Sequence, residues 1–187
     1  MNYWDNRYKK GGNSGQGSYG RLAEFKLDII NEFIKARKLT TLVDVGCGDA
    51  NIGSQIKVKN YIGTDISDSI IEKNKVKYPD RKFVKYSELS GVADVVLSLD
   101  VIFHLIEDKD YEDHMRFLFE HAEKYVIIYS SCKDTPYKKG ALVRHHDFVN
   151  WIKKNISAEL IDIIPNRYPI TDRVNPESFA DFYIFKV

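Results

Sequence analysis

Only two cysteines, Cys47 and Cys132, occur among the 187 residues, too few for a disulfide framework and without the spacing of a zinc site. Both read as free thiols, Cys47 being a small residue inside a glycine-rich turn. No charge of one sign dominates: 28 Lys and Arg against 27 Asp and Glu leave a net charge of +1, with no basic block of the kind that tracks a phosphate backbone. Nucleic acid is therefore not the expected partner. Apolar runs stop at strand length, far short of the roughly 20 residues that cross a bilayer. The polar start MNYWDNRYKK lacks the apolar centre of a signal peptide, so no membrane partner is expected and the chain is placed in the cytoplasm. Internal repeats, linkers and low-complexity segments are missing too. Residues 1–187 are therefore read as one domain, and a 43% hydrophobic, 13% aromatic composition is enough for a core of its own.

From Leu42 onward, short β-branched runs alternate with helical-period segments, the pattern of strands and crossover helices in a parallel sheet. Residues 41–45, 61–64, 82–86, 94–99 and 125–129 are five expected strands, several of them apolar on both faces as burial between helix layers requires. Before the first, Leu22, Phe25, Ile29 and Phe33 recur at spacings of three and four, which predicts a helix over residues 21–38. Ser67 caps a second helix that runs through Ile70 and Ile71 and stops near Pro79. Asp110 opens a third, with Tyr111, Met115, Leu118 and Ala122 on one face. A loop, CKDTPYKKG, leads to a helix around residues 146–154. Residues 160–164 and 182–187, joined by a Pro- and Asn-containing connection, suit an antiparallel strand pair at one edge. The stretch GGNSGQGSYG, residues 11–20, is either a mobile terminal tail or part of a flap over residues 1–20. The flanking Trp4, Tyr8, Tyr19 and Arg21 favour the flap, since bulky aromatics around a flexible loop suggest a segment that folds over something.

The most specific signal is LVDVGCGDANIG, residues 42–53: an apolar strand ends in Asp44, and Gly46 and Gly48 make a tight turn into a helix. Glycine suits a backbone that turns sharply and comes close to a ligand. A lone Gly-x-Gly is weak evidence. What sharpens it is the acid two residues before the first glycine and a second acid, Asp65, at the tip of the next strand in YIGTDIS, about 20 residues on, where it can grip the two hydroxyls of a ribose. A nicotinamide-dependent oxidoreductase, NAD(P) being its cofactor, would satisfy part of this pattern by bringing a helix N-terminus onto a pyrophosphate through Gly-x-Gly-x-x-Gly. Here the third glycine position is Asn51, Asp49 adds negative charge where the pyrophosphate would sit, and the short chain has no substrate domain. A ligand with an ammonium group and no phosphate fits better. Asp44 and the backbone of Gly46, Cys47 and Gly48 could hold the amino-acid end of S-adenosylmethionine (SAM).

In order, the first helix, LVDVGCGDA, YIGTDIS, ADVVLSLDVIFHL and the final strand pair resemble the class I SAM-dependent methyltransferases over nearly the whole chain. The resemblance implies an α/β fold, a Rossmann-like three-layer sandwich whose mostly parallel seven-stranded sheet ends in an antiparallel strand. It also implies SAM as cofactor and a small-molecule methyl acceptor. By it, Asp44, Gly46 and Gly48 line the methionine end, Asp65 binds the ribose, Ile66 lies beside the adenine, and the loop at Ser87 and Glu88 meets the exocyclic amine. Many members carry an acid where Ser87 aligns. The strand end in residues 94–108 would lie beneath the reactive methyl, with Asp100 and Val101 facing the cofactor and His104 the substrate. His104 could take a proton from an attacking hydroxyl or amine, or it could cap or brace the following loop. The string YWDNRYKKGGNSGQGSYGRLAEFK further resembles a subgroup from bacterial surface-polysaccharide and other small-molecule pathways, which makes Arg7, Ser18 and Arg21 candidates for contact with substrate or cofactor carboxylate.

Arg144, His145 and His146 follow the fifth strand, on the sheet edge where an open α/β fold gathers its ligand site, and could bind an anionic substrate. A His-His pair can also suggest metal, but no carboxylate spacing accompanies it and no metal is expected. Tyr8 and Tyr19 either close the pocket or pack on the first helix. No Asn-Pro-Pro-aromatic element follows the fourth strand, only LDVIFH, so DNA is not the expected acceptor. A small hydroxylated or phosphorylated metabolite, such as a sugar- or nucleotide-linked intermediate, fits residues 144–146 best. A non-catalytic SAM-binding module is the remaining rival, because fold alone never guarantees chemistry; the intact set of Asp44, Gly46, Gly48 and Asp65 speaks against it. No feature favours a particular oligomeric state.

Overall fold

A computed structural model describes residues 3–170 and 177–187; part of the connection between the last two expected strands, and the first two residues of the expected flap, lie outside them. The chain divides into two compact units, Met1–Gly91 and Val92–Val187. In the first, β1 (Thr41–Val45), β2 (Asn60–Asp65) and β3 (Lys82–Lys85) pair in parallel. Their register sets Val45 against Thr64, and the chain beyond β1 is tied to the end of β2 by the Gly46 and Cys47 amides, which donate to the Thr64 carbonyl at 2.8 and 3.0 Å.

Helix α1 (Tyr3–Lys9) is the first described element and α2 (Gly20–Arg37) follows. The buried face of α2 carries Leu22, Phe25, Ile30, Phe33 and Ile34; Ile30 takes the fully buried place expected of Ile29, which is half-buried. Helix α3 (Asp68–Lys77) starts at Ser67, whose side chain accepts from the Ile70 amide as expected of a cap. One expected element is different. The glycine turn does not open an α-helix but leads to a 3-10 turn at Gly53–Gln55. Ala50 sits at φ 55°, which interrupts helical backbone, and Asn51 and Gly53 are weak helix formers.

In the second unit β4 (Ala93–Leu99) and β5 (Ala122–Ser130) are parallel, and β7 (Asp181–Lys186) runs antiparallel to both β5 and β6 (Glu159–Ile164). Val95, Val96, Leu97, Val126, Ile127 and Ile128 are sealed from solvent, which is why these strands read as continuous apolar runs rather than alternating ones. Helix α4 (Asp108–Glu120) begins two residues before the expected Asp110, and Ala122 opens β5 instead of closing the helix. Helix α5 (Phe148–Asn155) starts after Asp147, whose carboxylate accepts from the Asn150 amide. That cap leaves His146, expected inside the helix, in a bridge to Cys132. Among the described residues the seven strands are ordered β3-β2-β1-β4-β5-β7-β6, six of them parallel and β7 reversed. No helix among the described residues is long and apolar enough to cross a membrane.

Candidate active site

Asp44 and Asp65 stand at the carboxyl ends of neighbouring strands, both buried. The Asp44 carboxylate accepts from the Tyr61 hydroxyl at 2.8 Å. Burial pushes it up to about 6, with the Asp65 charge adding to the rise and the Tyr61 bond and the Lys26 charge opposing it. Asp65 accepts from the Gly48 amide at 3.1 Å and the Ser67 amide at 2.9 Å. Burial still outweighs these bonds and raises it to about 6. Between the two acids, Gly46 and Gly48 adopt φ 80° and 53°, the left-handed region that favours glycine. The Cys47 thiol is pushed well up by burial, so it fills the turn without the thiolate character of a nucleophile. Two buried carboxylates held up in this way would gain from a positive charge brought beside them, because opposite charge favours the ionised form.

The N-terminal segment lies on this turn. The Ser14 amide and the Tyr19 hydroxyl donate to Asp49 Oδ2 at 3.0 and 2.5 Å, and the Asp49 amide donates to Ser14 Oγ at 2.9 Å. Against the upward pull of burial, the bonds from Tyr19, Ser14 and Asn51 hold the Asp49 carboxyl below its ordinary value. Asn51 donates to the Ser18 carbonyl at 2.6 Å, and the fully buried Lys26 ammonium to the Gly17 carbonyl at 3.0 Å. Tyr8 Oη lies 3.2 Å from Ser14 Oγ. A Cβ on Gly48 would meet Ser14 Oγ at 2.2 Å and Tyr8 Oη at 2.8 Å, so the flap itself demands glycine here. Helix α1 is anchored to α3 by Ser67 Oγ donating to Asp5 at 2.8 Å and Lys73 Nζ to the Tyr8 carbonyl at 2.5 Å. Arg7 binds within the flap, its Nε donating to the Asn13 carbonyl at 2.7 Å.

Ser14 and Asp49 emerge here as a pair that sequence reading does not supply: they are 35 residues apart, and Asp49 by itself signals only negative charge. Ile66, at the tip of β2, is 53% exposed. Ser87 and Glu88 are exposed in the 3-10 turn Tyr86–Glu88 that follows β3. Arg21 is half-buried in the first turn of α2.

In the second unit Asp100 follows β4 at φ 59°, a conformation that costs a residue with a Cβ about 1–3 kcal/mol and is held by its surroundings; its amide donates to the Tyr129 carbonyl at 2.9 Å. Val101 then leads into the 3-10 turn Ile102–His104. His104 Nδ1 lies 3.2 Å from the Leu142 carbonyl oxygen. A carbonyl only accepts, so Nδ1 carries the proton and Nε2 is the ring's acceptor. Burial lowers the His104 pKa despite that bond and the Asp100 charge, which keeps the ring neutral at neutral pH. Bracing a loop and accepting a proton thus use different nitrogens.

The three residues after β5 separate. Arg144 Nη1 donates to the Ile106 carbonyl and pairs with Asp108, both at 2.8 Å, with its side chain 12% exposed. His146 is buried, donates from Nε2 to the Leu105 carbonyl at 2.8 Å, and stacks on Tyr111 at 4.0 Å. Both pin their loop to the segment after β4 and spend these donors inside the fold. His145 is hydrogen-bonded to the Ser131 hydroxyl and stands edge-on to Phe179.

No family model matches the chain, and no curated protein sequence matches it. Solved structures do. Magnesium protoporphyrin IX methyltransferase from Synechocystis, crystallised with bound SAM, superposes with a TM-score of 0.66 at 16% identity, covering 100% of this chain and 98% of that one. A SAM-dependent methyltransferase from Clostridium acetobutylicum gives 0.67 at 14% identity over 97% and 98% of the two chains. The N-methyltransferase NodS from Bradyrhizobium japonicum gives 0.65 at 10% identity over 89% and 94%. At these identities the likeness establishes the fold, that of the class I methyltransferases.

Proposed function

We propose that the protein transfers a methyl group from SAM to a small molecule. The reading rests above all on Asp44 and Asp65, buried at adjacent strand ends and flanking the turn of Gly46 and Gly48, within a fold shared with methyltransferases. Both carboxyls are held near 6, and SAM brings a sulfonium and an ammonium that favour their ionised forms. A pyrophosphate, by contrast, would want a helix N-terminus, and the chain after the turn supplies a three-residue 3-10 turn instead.

On this reading Asp44 and the backbone of Gly46, Cys47 and Gly48 hold the methionine end, with Arg21 toward its carboxylate. Asp65 holds the ribose, Ile66 faces the adenine, and Ser87 and Glu88 lie at its amine. When bound, SAM supplies a methyl group on a sulfonium, so the protein's task is alignment more than activation. The flap, with Tyr8, Ser14 and Tyr19 on the glycine turn, excludes water. Asp100 and Val101 border the cofactor, and His104 Nε2 accepts the proton of an attacking hydroxyl or amine, an effect worth about 10² to 10⁴-fold. Among small acceptors a hydroxylated one is preferred to a phosphorylated or nucleotide-linked one, because Arg144 and His146 have committed donors to the fold.

Calorimetric titration with SAM, S-adenosylhomocysteine (SAH) and NAD tests this. SAM and SAH should bind one-to-one and NAD should not. Asp65→Ala should weaken SAH at least about tenfold, roughly 1.4 kcal/mol. His104→Ala should slow turnover about 100-fold with SAH affinity nearly intact. Binding of NAD in place of SAM would overturn the assignment.

A further inference from the structure

Phe179 is 40% exposed yet gripped on two sides. The Phe103 ring meets it at 5.0 Å and 80°, and the His145 ring at 4.9 Å and 89°. Two edge-to-face contacts fix a ring in place, so Phe179 presents a held aromatic surface rather than a mobile one. Phe103 also packs on His104 at 4.6 Å, the residue whose Nδ1 is committed to the Leu142 carbonyl. Leu142 is itself 73% exposed and Val143 39%. A ring held open to solvent beside a neutral imidazole, with further exposed aliphatic side chains in the loop that carries His145, suits ligand binding better than solvation.

Charge points the same way. The charge that acts on His104 is the negative one of Asp100, which disfavours an anionic acceptor. The Arg144 guanidinium is paired with Asp108, and Lys133, whose charge reaches His145, is itself exposed. Burial lowers the pKa of His145, as it does that of His104, so both rings are neutral at neutral pH.

We propose that the acceptor is a flat, uncharged, largely apolar molecule bearing a hydroxyl, received on the face that Phe179 forms with Phe103, His104 and His145. Phe179 sets the preference by stacking against the acceptor's planar body, and the acceptor hydroxyl donates to His104 Nε2. This rests on the methyltransferase reading and narrows it to phenol-like acceptors, away from sugar phosphates.

The test uses 2-naphthol and glucose 1-phosphate, each titrated by calorimetry into the full protein saturated with SAH. 2-Naphthol should bind saturably and glucose 1-phosphate should not. Phe179→Ala should weaken 2-naphthol about tenfold or more, and Phe179→Tyr should restore it to within about threefold, both leaving SAH affinity unchanged. With SAM present, Phe179→Ala should raise the KM for 2-naphthol far more than it lowers kcat. Tighter binding of glucose 1-phosphate, no binding of 2-naphthol, or indifference to Phe179→Ala would each overturn the proposal while SAH still binds. Failure of SAH to bind would instead overturn the methyltransferase reading.

Discussion

Gly48 answers two demands at one position. Its φ of 53° costs a residue with a Cβ about 1–2 kcal/mol, and the space a Cβ would take is filled by Ser14 Oγ and Tyr8 Oη. The demands are separable. Gly48→Ala should lower stability by about 2 kcal/mol or more in urea titration. Adding Ser14→Gly should recover part of the loss, because it removes the nearer clash and leaves the Tyr8 Oη contact and the backbone strain. A double variant no more stable than Gly48→Ala would show that Ser14 is not the obstacle. Asp100 shows the reverse case: a left-handed backbone at φ 59° is kept without glycine, in a residue whose short polar side chain tolerates that region better than most.

At the scale of elements, the flap is a short helix and a loop that could not hold together alone. A seven-residue helix is far below the length at which an isolated helix persists in water, so α1 depends on its anchors to α3 and the loop on Asp49. Asp49→Ala removes acceptors for the Ser14 amide and the Tyr19 hydroxyl, charge-assisted bonds worth about 1.5–3 kcal/mol. Hydrogen exchange should therefore speed up through residues 8–19 and stay unchanged in β1, β2 and β3. If the methyltransferase reading holds, SAH release should quicken with it. Unchanged exchange in that segment would mean that Lys73 and Ser67, bonded to α1, are sufficient and that Asp49 is no latch.

For the molecule as a whole, buried titratable groups pull stability in opposite directions with pH. Asp44 and Asp65 are raised in the folded state from 3.8 to about 6. Their contribution is fully present below the unfolded value and is lost as pH rises through 6. His114, sealed in α4 against Ser98 Oγ at 2.9 Å, is lowered by burial from 6.5 to about 4. Its contribution is present above 6.5 and lost as pH falls through 4. Across pH 5 to 7 the slopes partly cancel, and single substitutions should unmask them. Asp44→Asn, which keeps an acceptor for Tyr61, should favour pH 7 over pH 5 by about 1–2 kcal/mol more than in the unaltered protein. His114→Gln, which keeps a partner for Ser98, should shift the balance the other way by a similar amount. Urea midpoints at the two pH values measure both, and parallel profiles for all three proteins would contradict the burial argument.

What the sequence determines alone is local or periodic. The central strands β4 and β5 are apolar, β-branched runs largely sealed from solvent, α2 and α4 carry apolar residues at helical spacing, Ser67 caps the helix beside it, and the acids at Asp44 and Asp65 fall at strand tips because strand length puts them there. What tertiary structure decides is where polar groups find partners. The missing helix after the glycine turn reflects Ala50 going left-handed, which no spacing announces. Ser14 meets Asp49 across 35 residues, Asp5 meets Ser67 across 62, and Arg144 and His146 turn to carbonyls 38 and 41 residues away. A sequence shows that a side chain can donate or accept but not where it is aimed. Burial follows from pattern, whereas a hydrogen bond depends on distance and direction in space, and those exist only once the chain has folded.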